Sequence, residues 1–203
     1  MFKNHQEKQM LVGGLLLAAG GSTRFGSPKQ LAKFHGKTLL RRAAEAICGS
    51  GCSPVVVVLG ACIDECEKEI EGLDLNVALN VQWQTGMASS IKTGLAKLLD
   101  LEPDLDAVMI TLMDQPLVTN DHLAQFVEQF RNDRPPAIAA EYKDIAGVPA
   151  LFSRALFEGI FRLDGDIGAR AVIKDQANLS TIRLSEAGVD IDTANNLLEI
   201  NSD

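Results

Sequence analysis

A continuous apolar run that leads straight into a glycine-rich loop constrains the fold of this chain more than any other feature. Residues 15–17 are apolar without alternation, which is typical of a strand covered on both faces. Leu17 ends this strand. The loop that follows begins with residues that have small side chains or none, namely Ala18, Ala19, Gly20 and Gly21. A ligand can approach such a backbone closely, and successive N–H groups can point at an anion.

Two cations follow the glycine-rich loop. Arg24 offers a fork-shaped donor and Lys29 a point charge, and both kinds of side chain bind phosphate oxygens. The loop is not a Walker A motif, because Leu31 stands five residues before Gly36 in the single Gly-Lys-Thr, and no G-x-G-x-x-G can be drawn through it. The local pattern leaves two interpretations open, a phosphate-binding loop and a turn of small residues.

Strands and helices alternate along most of the chain. Predicted strands cover residues 15–17, 55–59, 76–79, 107–111, 137–140, 148–152 and 181–184. Predicted helices cover residues 39–47, 63–71, 86–99, 119–130, 153–163, 169–174 and 193–200. This alternation predicts one α/β domain over residues 1–203, a Rossmann-like three-layer α/β/α fold with a mainly parallel sheet. From about residue 135 the regular alternation of strands and helices changes.

Length and charge limit the classes of partner. The 203 residues suffice for one sizeable core, and a net charge of −8 argues against a nucleic-acid-binding surface. Seven basic residues but no acidic ones lie between Glu7 and Glu45, which favours a small polyanionic ligand. We interpret Arg41 and Arg42 within this segment as part of a solvated helix face.

The N-terminal segment and the cysteines bear on the cellular compartment. Residues 10–19 imitate a short secretory signal, but cleavage there would remove the central strand, so we predict a cytoplasmic protein without membrane contact. The four cysteines are spaced C-x3-C twice. A strand over residues 55–59 would hold the two pairs ~15 Å apart. We therefore expect reduced, structural cysteines and not a zinc site.

Acidic residues follow the strand at 107–111 and precede the last helix. Asp114 comes just past a buried strand, where a carboxylate can hold Mg²⁺ together with triphosphate oxygens, or can cap a turn beside Pro116. Asp190 and Asp192 are two residues apart and share one face of an extended segment, although Asp192 could instead cap the final helix. The carboxyl ends of parallel strands meet at one sheet edge, so we expect these groups to lie near the glycine-rich loop.

The run LAAGGSTRFGSPK resembles the L-A-A-G-x-S-x-R-x-G-x-x-K signature of the nucleotidyltransferases, in particular their molybdenum cofactor cytidylyltransferase branch. The resemblance implies that residues 17–21 wrap the triphosphate of a nucleotide and that Arg24 and Lys29 are catalytic residues that hold its phosphates. Relatives that use GTP tend to have Leu-Ala-Gly-Gly where this chain has Leu-Ala-Ala-Gly, which favours CTP over GTP.

Later segments resemble the same family in the same order. Leu112-Met-Asp-Gln-Pro116 matches L-x-D-Q-P, which implies that Asp114 binds Mg²⁺, or Mn²⁺ as the alternative ion, with Asp190 or Asp192 as the second ligand. The stretch from Asn80 to Gly94 matches a segment that contacts the nucleotide, here through Gly86, Ser90 and Gly94, whereas we expect Trp83 and Met87 to be core residues. Motifs around residues 147–152 and 163–170 imply acceptor contacts from Pro149, Asp166 and Arg170, although Asp166 and Arg170 could pair with each other.

The chain departs from the family pattern at two places. Val148 replaces the usual His, which affects the identity of the acceptor, and Ala194-Asn195-Asn196 replaces Pro-Glu-Asp, which we expect to weaken the start of the last helix.

The resemblance implies transfer of CMP from CTP to a phosphorylated, molybdopterin-type acceptor with release of pyrophosphate. It also implies a nucleotide-binding half over about residues 10–134 and an acceptor-binding half over about residues 135–203. It also admits a transient contact with a molybdoenzyme or its maturation chaperone. The alternatives are a guanylyltransferase, a cytidylyltransferase for a sugar or polyol phosphate, a nucleotide-binding chaperone without catalysis, and a nicotinamide-dependent oxidoreductase.

Overall fold

The computed structural model describes residues 10–22 and 25–201. Its strands are β1 (Val12–Leu17), β2 (Lys33–Phe34), β3 (Lys37–Thr38), β4 (Val55–Leu59), β5 (Asn76–Leu79), β6 (Ala107–Leu112), β7 (Ala137–Tyr142), β8 (Ile145–Ser153) and β9 (Leu179–Arg183). Seven of them form one sheet in the order β5-β4-β1-β6-β8-β7-β9, and β2 pairs with β3 in a separate hairpin. β8 is antiparallel to both neighbours and the other pairs are parallel, which confirms the mainly parallel sheet.

Helices cover both faces of this sheet. They are α1 (Leu39–Cys48), α2 (Ile63–Glu69), α3 (Met87–Leu101), α4 (Asn120–Asp133), α5 (Phe157–Phe161), α6 (Arg170–Lys174) and α7 (Ala194–Asn201). Apolar residues of α1, α2 and α4 form a core with one face of the sheet, and those of α3, α5 and α6 form a core with the other. In β1, Leu16 faces the first core whereas Leu15 and Leu17 face the second. The predicted three-layer α/β/α architecture is therefore confirmed.

Two local predictions differ from the structure. The β2–β3 hairpin and a 3-10 helix at Lys29–Leu31 were not predicted, because segments this short carry too few residues to show a periodic pattern. Residues 153–163 were predicted as one helix. Instead β8 runs to Ser153, a 3-10 turn follows, and α5 covers only Phe157–Phe161.

A small third core joins the β2–β3 hairpin to the late segment that carries the two aspartates. It contains Phe34 from the hairpin, Leu39 from the start of α1, and Ile191. All three side chains are buried. This cluster holds the segment around Ile191 beside the β2–β3 hairpin, although the two are far apart in sequence.

The last helix begins with two reciprocal hydrogen bonds. The Thr193 hydroxyl oxygen accepts from the Asn196 N–H (3.2 Å), and the Asn196 side-chain oxygen accepts from the Thr193 N–H (3.1 Å). This arrangement is a capping box, in which Asn196 satisfies a backbone donor as a longer acidic side chain would. Thr193, not Asp192, therefore supplies the cap, and the expected weakening of this helix start stays a prediction.

The cysteines, the potential metal ligands and the lengths of the helices bear on metal binding and on membrane contact. The four cysteines are free thiols, and burial raises the pKa of Cys52 to about 11 and that of Cys66 to about 12. Among the described residues, no group of three or more potential His, Cys, Asp or Glu ligands is arranged to hold a metal ion. No helix in residues 10–22 and 25–201 is long and apolar enough to cross a membrane.

Gly94 allows α3 to pack closely against the sheet. A Cβ atom at this position would overlap the Leu15 side chain and come within 2.7 Å of Val58 Cγ2. We therefore expect Gly94→Ala to lower the free energy of unfolding by about 1–3 kcal/mol, measured by urea denaturation. Gly159→Ala is the matched control, because its Cβ would meet nothing within 4 Å in α5, and the change should be neutral or stabilise by up to about 1 kcal/mol. Equal stability of Gly94→Ala and the wild type would contradict this packing.

Candidate active site

Lys29 connects the glycine-rich loop to both acidic segments. Its Nζ lies 2.9 Å from Asp114 Oδ2 and 3.2 Å from Asp192 Oδ1. The Lys29 side chain is 8% exposed, compared with 25% for Asp114 and 52% for Asp192. A nearly buried ammonium requires such partners, since an unpaired buried charge is strongly destabilising. The sequence predicted Lys29 and the carboxylates as parts of one site, but not the ion pairs between them.

Backbone and side-chain hydrogen bonds hold Asp114 beside the late segment. The Ile191 N–H donates to the carbonyl oxygen of Asp114 (2.9 Å). The buried side chain of Gln115 donates from Nε2 to the carbonyl oxygens of Val148 (3.0 Å) and Ala187 (2.7 Å). Because Ile191 is anchored in the third core, these contacts bring Asp190 and Asp192 to the carboxyl end of β6.

A second glutamine fixes the glycine-rich loop. Gln30 is fully buried and donates from Nε2 to the carbonyl oxygens of Ala18 (3.0 Å) and Gly20 (2.6 Å). With these two carbonyls turned towards Gln30, the curvature of the loop is set by a side chain adjacent to Lys29. An added Cβ at Gly20 would meet nothing within 4 Å, so this part of the loop stays open to a ligand.

The indole ring of Trp83 covers the other side of the same loop. A Cβ atom at Gly21 would lie 2.6 Å from the ring, and one at Gly60 would lie 2.7 Å from it. Trp83 is partly buried against the core, as predicted. Met87, in contrast, is 42% exposed, so the prediction of a core residue is wrong there. Its position follows from the start of α3, which lies above the sheet edge.

An open cleft of about 290 Å³ joins the loop to the carboxylates. Its walls come from the loop, from the end of β6 and from the late segment, namely Leu17, Ala18, Gly20, Ser22, Phe25, Lys29, Met87, Leu112, Met113, Asp114 and Asp192. The loop and Asp114 therefore face the same space. Arg24, predicted to hold phosphate beside Lys29, lies outside the described residues.

A second cavity of about 240 Å³ lies next to this cleft. Asp166 and Arg170 line it, as does Val148, whereas Pro149 is buried behind the wall. Within the described part of the chain, Asp166 and Arg170 form no ion pair. Burial and the charge of Asp190 raise the pKa of Tyr142 in the same wall, and the positive charge of Arg170 opposes that shift. This cavity is mostly apolar with a few polar groups at its rim.

The three residues predicted to contact the nucleotide at α3 all lie outside the lining of the cleft. Gly86 adopts φ +118°, and an added Cβ there would overlap the backbone of Gly165. Ser90 is buried and accepts a hydrogen bond from Asn80 Nδ2 (2.9 Å). Gly94 packs on the sheet. The structure thus keeps these three residues out of the cleft lining, and it places Met87 there instead.

The carboxylates suit a hard divalent cation. Asp114 Oδ1 is buried and has no hydrogen-bond partner among the described residues, although its other oxygen binds Lys29. Burial of a bare carboxylate oxygen is costly unless something binds it. Partial burial, followed by the charges of Asp114 and Asp192, raises the pKa of Asp190. A cation bound at Asp114 Oδ1 would satisfy this oxygen and reduce the repulsion between the three acids.

Several residues of the site were missed from sequence. Gln30 and Gln115 each follow a predicted ligand directly, and each donates to two carbonyl oxygens of a loop. The backbone carbonyls of a loop need hydrogen-bond donors. A glutamine next to a predicted ligand residue could therefore have indicated a side chain that supports the loop. Arg42 was assigned to a solvated face. It donates to the Pro116 carbonyl oxygen (3.1 Å) and lies 4.9 Å from the centre of the Phe34 ring.

A glycine-rich loop and a carboxylate pair lie together at one edge of a mainly parallel sheet, which is where open α/β domains bind their ligands. The chain belongs to the family of the MobA-like NTP transferase domain, whose model matches residues 14–181. The family places this protein among the nucleotidyltransferases.

The chain is similar to a named protein over nearly its whole length and to several solved structures. The chain is 28% identical over 199 residues to "Nicotine blue oxidoreductase" of Paenarthrobacter nicotinovorans, covering 93% of this chain and 96% of that protein. Among solved structures, Rv0371c of Mycobacterium tuberculosis superposes with a TM-score of 0.82 at 24% identity, covering 97% of this chain and all (100%) of that one. A manganese complex of Rv0371C gives 0.75 at 23% identity, covering 96% and 99%.

A molybdopterin-guanine dinucleotide biosynthesis protein A of Archaeoglobus fulgidus gives a TM-score of 0.70 at 14% identity, covering 94% and 97% of the two chains. At these identities the structural matches establish a shared fold.

Asp190 provides a test of the charge balance in the site. Because its folded-state pKa lies above the ordinary value of 3.8, ionisation of Asp190 destabilises the folded protein as pH rises above 3.8. Asp190→Asn should therefore raise the melting temperature at pH 7, and the gain should disappear below pH 3.8. Differential scanning calorimetry across this range measures the effect. Asp100→Asn, on the exposed face of α3, is the control and should shift melting by no more than about 1 °C. A lower melting temperature of Asp190→Asn at pH 7 would contradict the prediction.

Proposed function

We propose that the protein transfers CMP from CTP to a phosphorylated, molybdopterin-type acceptor and releases pyrophosphate, with GTP as the alternative nucleotide. One observation carries the proposal: the Lys29 ammonium joins the glycine-rich loop to Asp114 and Asp192 across one open cleft. A triphosphate requires backbone N–H donors and a carboxylate that binds its cation, close enough together to contact the same molecule. This cleft contains both kinds of group.

In this proposal the loop binds the nucleotide phosphates. The Ala18 N–H donates to the Val58 carbonyl oxygen (3.0 Å), so the N–H groups that follow it, up to residue 21, would bind the phosphate oxygens, and the open side of Gly20 would admit them. Lys29 supplies positive charge, and Arg24 is assigned its phosphate-binding role from the sequence signature alone. Nucleotide entry would displace the Lys29 ammonium partly from Asp192, which is the more exposed of its two partners.

Asp114 and Asp192 would hold a divalent cation, with Asp190 next to them. The bare Oδ1 of Asp114 and the oxygen-only donor set suit Mg²⁺ or Mn²⁺, and the manganese complex of Rv0371C supports a divalent ion at such a fold. When bound, the ion supplies Lewis-acid stabilisation of phosphate charge. Asp192 lines the cleft and Asp190 does not, which favours Asp192 as the second ligand.

The second cavity would receive the acceptor. Arg170 offers a cation for an anionic group and Asp166 accepts hydrogen bonds, while Ile91, Ile110 and Val148 provide an apolar wall. The acceptor phosphate already carries an ionised oxygen, so the protein needs no general base. That oxygen forms a bond to the α-phosphorus of the nucleotide, the bond to the bridging oxygen breaks, and pyrophosphate leaves with the electron pair.

A second candidate function follows from the 28% identity to "Nicotine blue oxidoreductase" over nearly the whole chain. An oxidoreductase of this fold would place a nicotinamide or another redox carrier in the same cleft. The chain has no G-x-G-x-x-G, which makes a dinucleotide site of the usual kind a poor match. Binding of NAD(P)H therefore belongs in the same experiment as binding of CTP.

The fluorescence of Trp83 reports directly on ligand binding, because the chain has one tryptophan and its ring packs on the glycine-rich loop at Gly21. We expect CTP with Mg²⁺ to change the intrinsic fluorescence at lower concentration than GTP or NAD(P)H. Pyrophosphate release with molybdopterin as acceptor then measures turnover. Asp114→Asn should reduce this rate to about 1% of wild type or less while the protein stays folded.

Asp100→Asn is again the matched control and should keep the wild-type rate, since its carboxylate lies on the exposed face of α3. Unchanged pyrophosphate release in Asp114→Asn would contradict the role of Asp114. Oxidation of NADPH without pyrophosphate release from any nucleotide would favour the oxidoreductase.

A further inference from the structure

Three apolar side chains form the boundary between the cleft and the second cavity. Leu17, Met87 and Leu112 line both spaces, and we call them the apolar junction. Leu17 and Leu112 are register partners at the ends of the parallel strands β1 and β6. They form a continuous floor, and Met87 stands at the first residue of α3.

The backbone on either side of Met87 is held in place. Gly86 adopts φ +118° and fits against the backbone of Gly165, and the Ala88 N–H donates to the Gly165 carbonyl oxygen (3.1 Å). These contacts fasten the start of α3 to the loop before α6. The Met87 side chain therefore projects from a fixed point.

The thioether of Met87 also has a defined seat. A Cβ atom at residue 168 would lie 2.8 Å from Met87 Sδ, so the glycine at this position leaves room for the sulfur. Met87 is nevertheless 42% exposed. Its exposed surface faces the space where a ligand of the cleft and a ligand of the second cavity would meet.

We propose that Met87 directs the nucleotidyl group to the acceptor by keeping water out of the apolar junction, an inference that rests on the proposed function. The reacting α-phosphorus must lie where the two spaces meet. There a water oxygen could form the bond to phosphorus instead of the acceptor oxygen. Pyrophosphate would again leave with the electron pair, the water protons would pass to solvent, and the products would be CMP and pyrophosphate.

An apolar wall opposes this side reaction. An ordered water needs two to four polar partners and a share of volume of roughly 30 Å³. Leu17, Met87 and Leu112 offer no such partners from their side chains, and all three line both spaces. Shortening Met87 would open room for on the order of one or two waters next to the phosphate. A polar side chain of the same length would give a water a partner.

The test compares three variants by the ratio of CMP formed by hydrolysis to product formed by transfer, with CTP and molybdopterin. Met87→Ala and Met87→Gln should each raise this ratio about fivefold or more, because the first adds space and the second adds a polar partner. Met87→Leu, which keeps an apolar side chain of similar volume, should retain the wild-type ratio.

Measurements of CTP binding and of folding show whether a variant changes the choice between water and acceptor or simply damages the protein. The dissociation constant for CTP is measured for each variant from Trp83 fluorescence, and the ratio is compared at saturating CTP, so that a change in nucleotide affinity does not alter the comparison. Leu101→Ala, at the other end of α3 and 39% exposed, is the matched control and should leave the ratio unchanged. The inference would be overturned if the folded Met87→Ala and Met87→Gln variants kept the wild-type ratio. It would also be overturned if Met87→Leu hydrolysed CTP in the same proportion as Met87→Ala. Either result would leave the proposed function intact. Failure of the wild type to release pyrophosphate from any nucleotide would instead overturn the proposed function, and the inference with it.

Discussion

The nearly buried ammonium of Lys29, placed between the carboxylates of Asp114 and Asp192, is the interaction on which the site depends. It joins segments that are 85 and 163 residues apart in sequence. Removing one partner from such a pair costs about 3–5 kcal/mol where both are buried, and less for the exposed Asp192. The rest of the architecture supports this contact: Gln30 shapes the loop before it, and Ile191 anchors the late segment to the third core.

The fold was largely predictable because its signals are long and periodic. Continuous apolar strands such as Val55–Leu59 alternate with amphipathic helices, and that pattern alone implies a parallel sheet with helices on both faces. The rule that ligands bind beyond the carboxyl ends of such strands then brought Asp114 to the glycine-rich loop. The division into nucleotide-binding and acceptor-binding halves remains a prediction.

The remaining features depend on contacts that no local pattern encodes. The Lys29 ion pairs and the double hydrogen bonds of Gln115 join residues that are distant in sequence. Met87 has the composition of a core residue, yet it is exposed, because it begins a helix at the sheet edge where two cavities meet. Asn196 replaces an acidic residue but preserves the capping geometry, which depends on a side-chain oxygen and not on charge.

Binding of Mn²⁺ in the presence of CTP, followed by electron paramagnetic resonance of the free ion, tests most directly whether these carboxylates form a metal-nucleotide site. The wild type should remove the free-ion signal at a lower protein concentration when CTP is present. Asp114→Asn, which replaces the carboxylate that carries the bare Oδ1 by a neutral carboxamide, should weaken this CTP-dependent binding by about tenfold or more. Equal Mn²⁺ affinity in the wild type and Asp114→Asn would contradict the account.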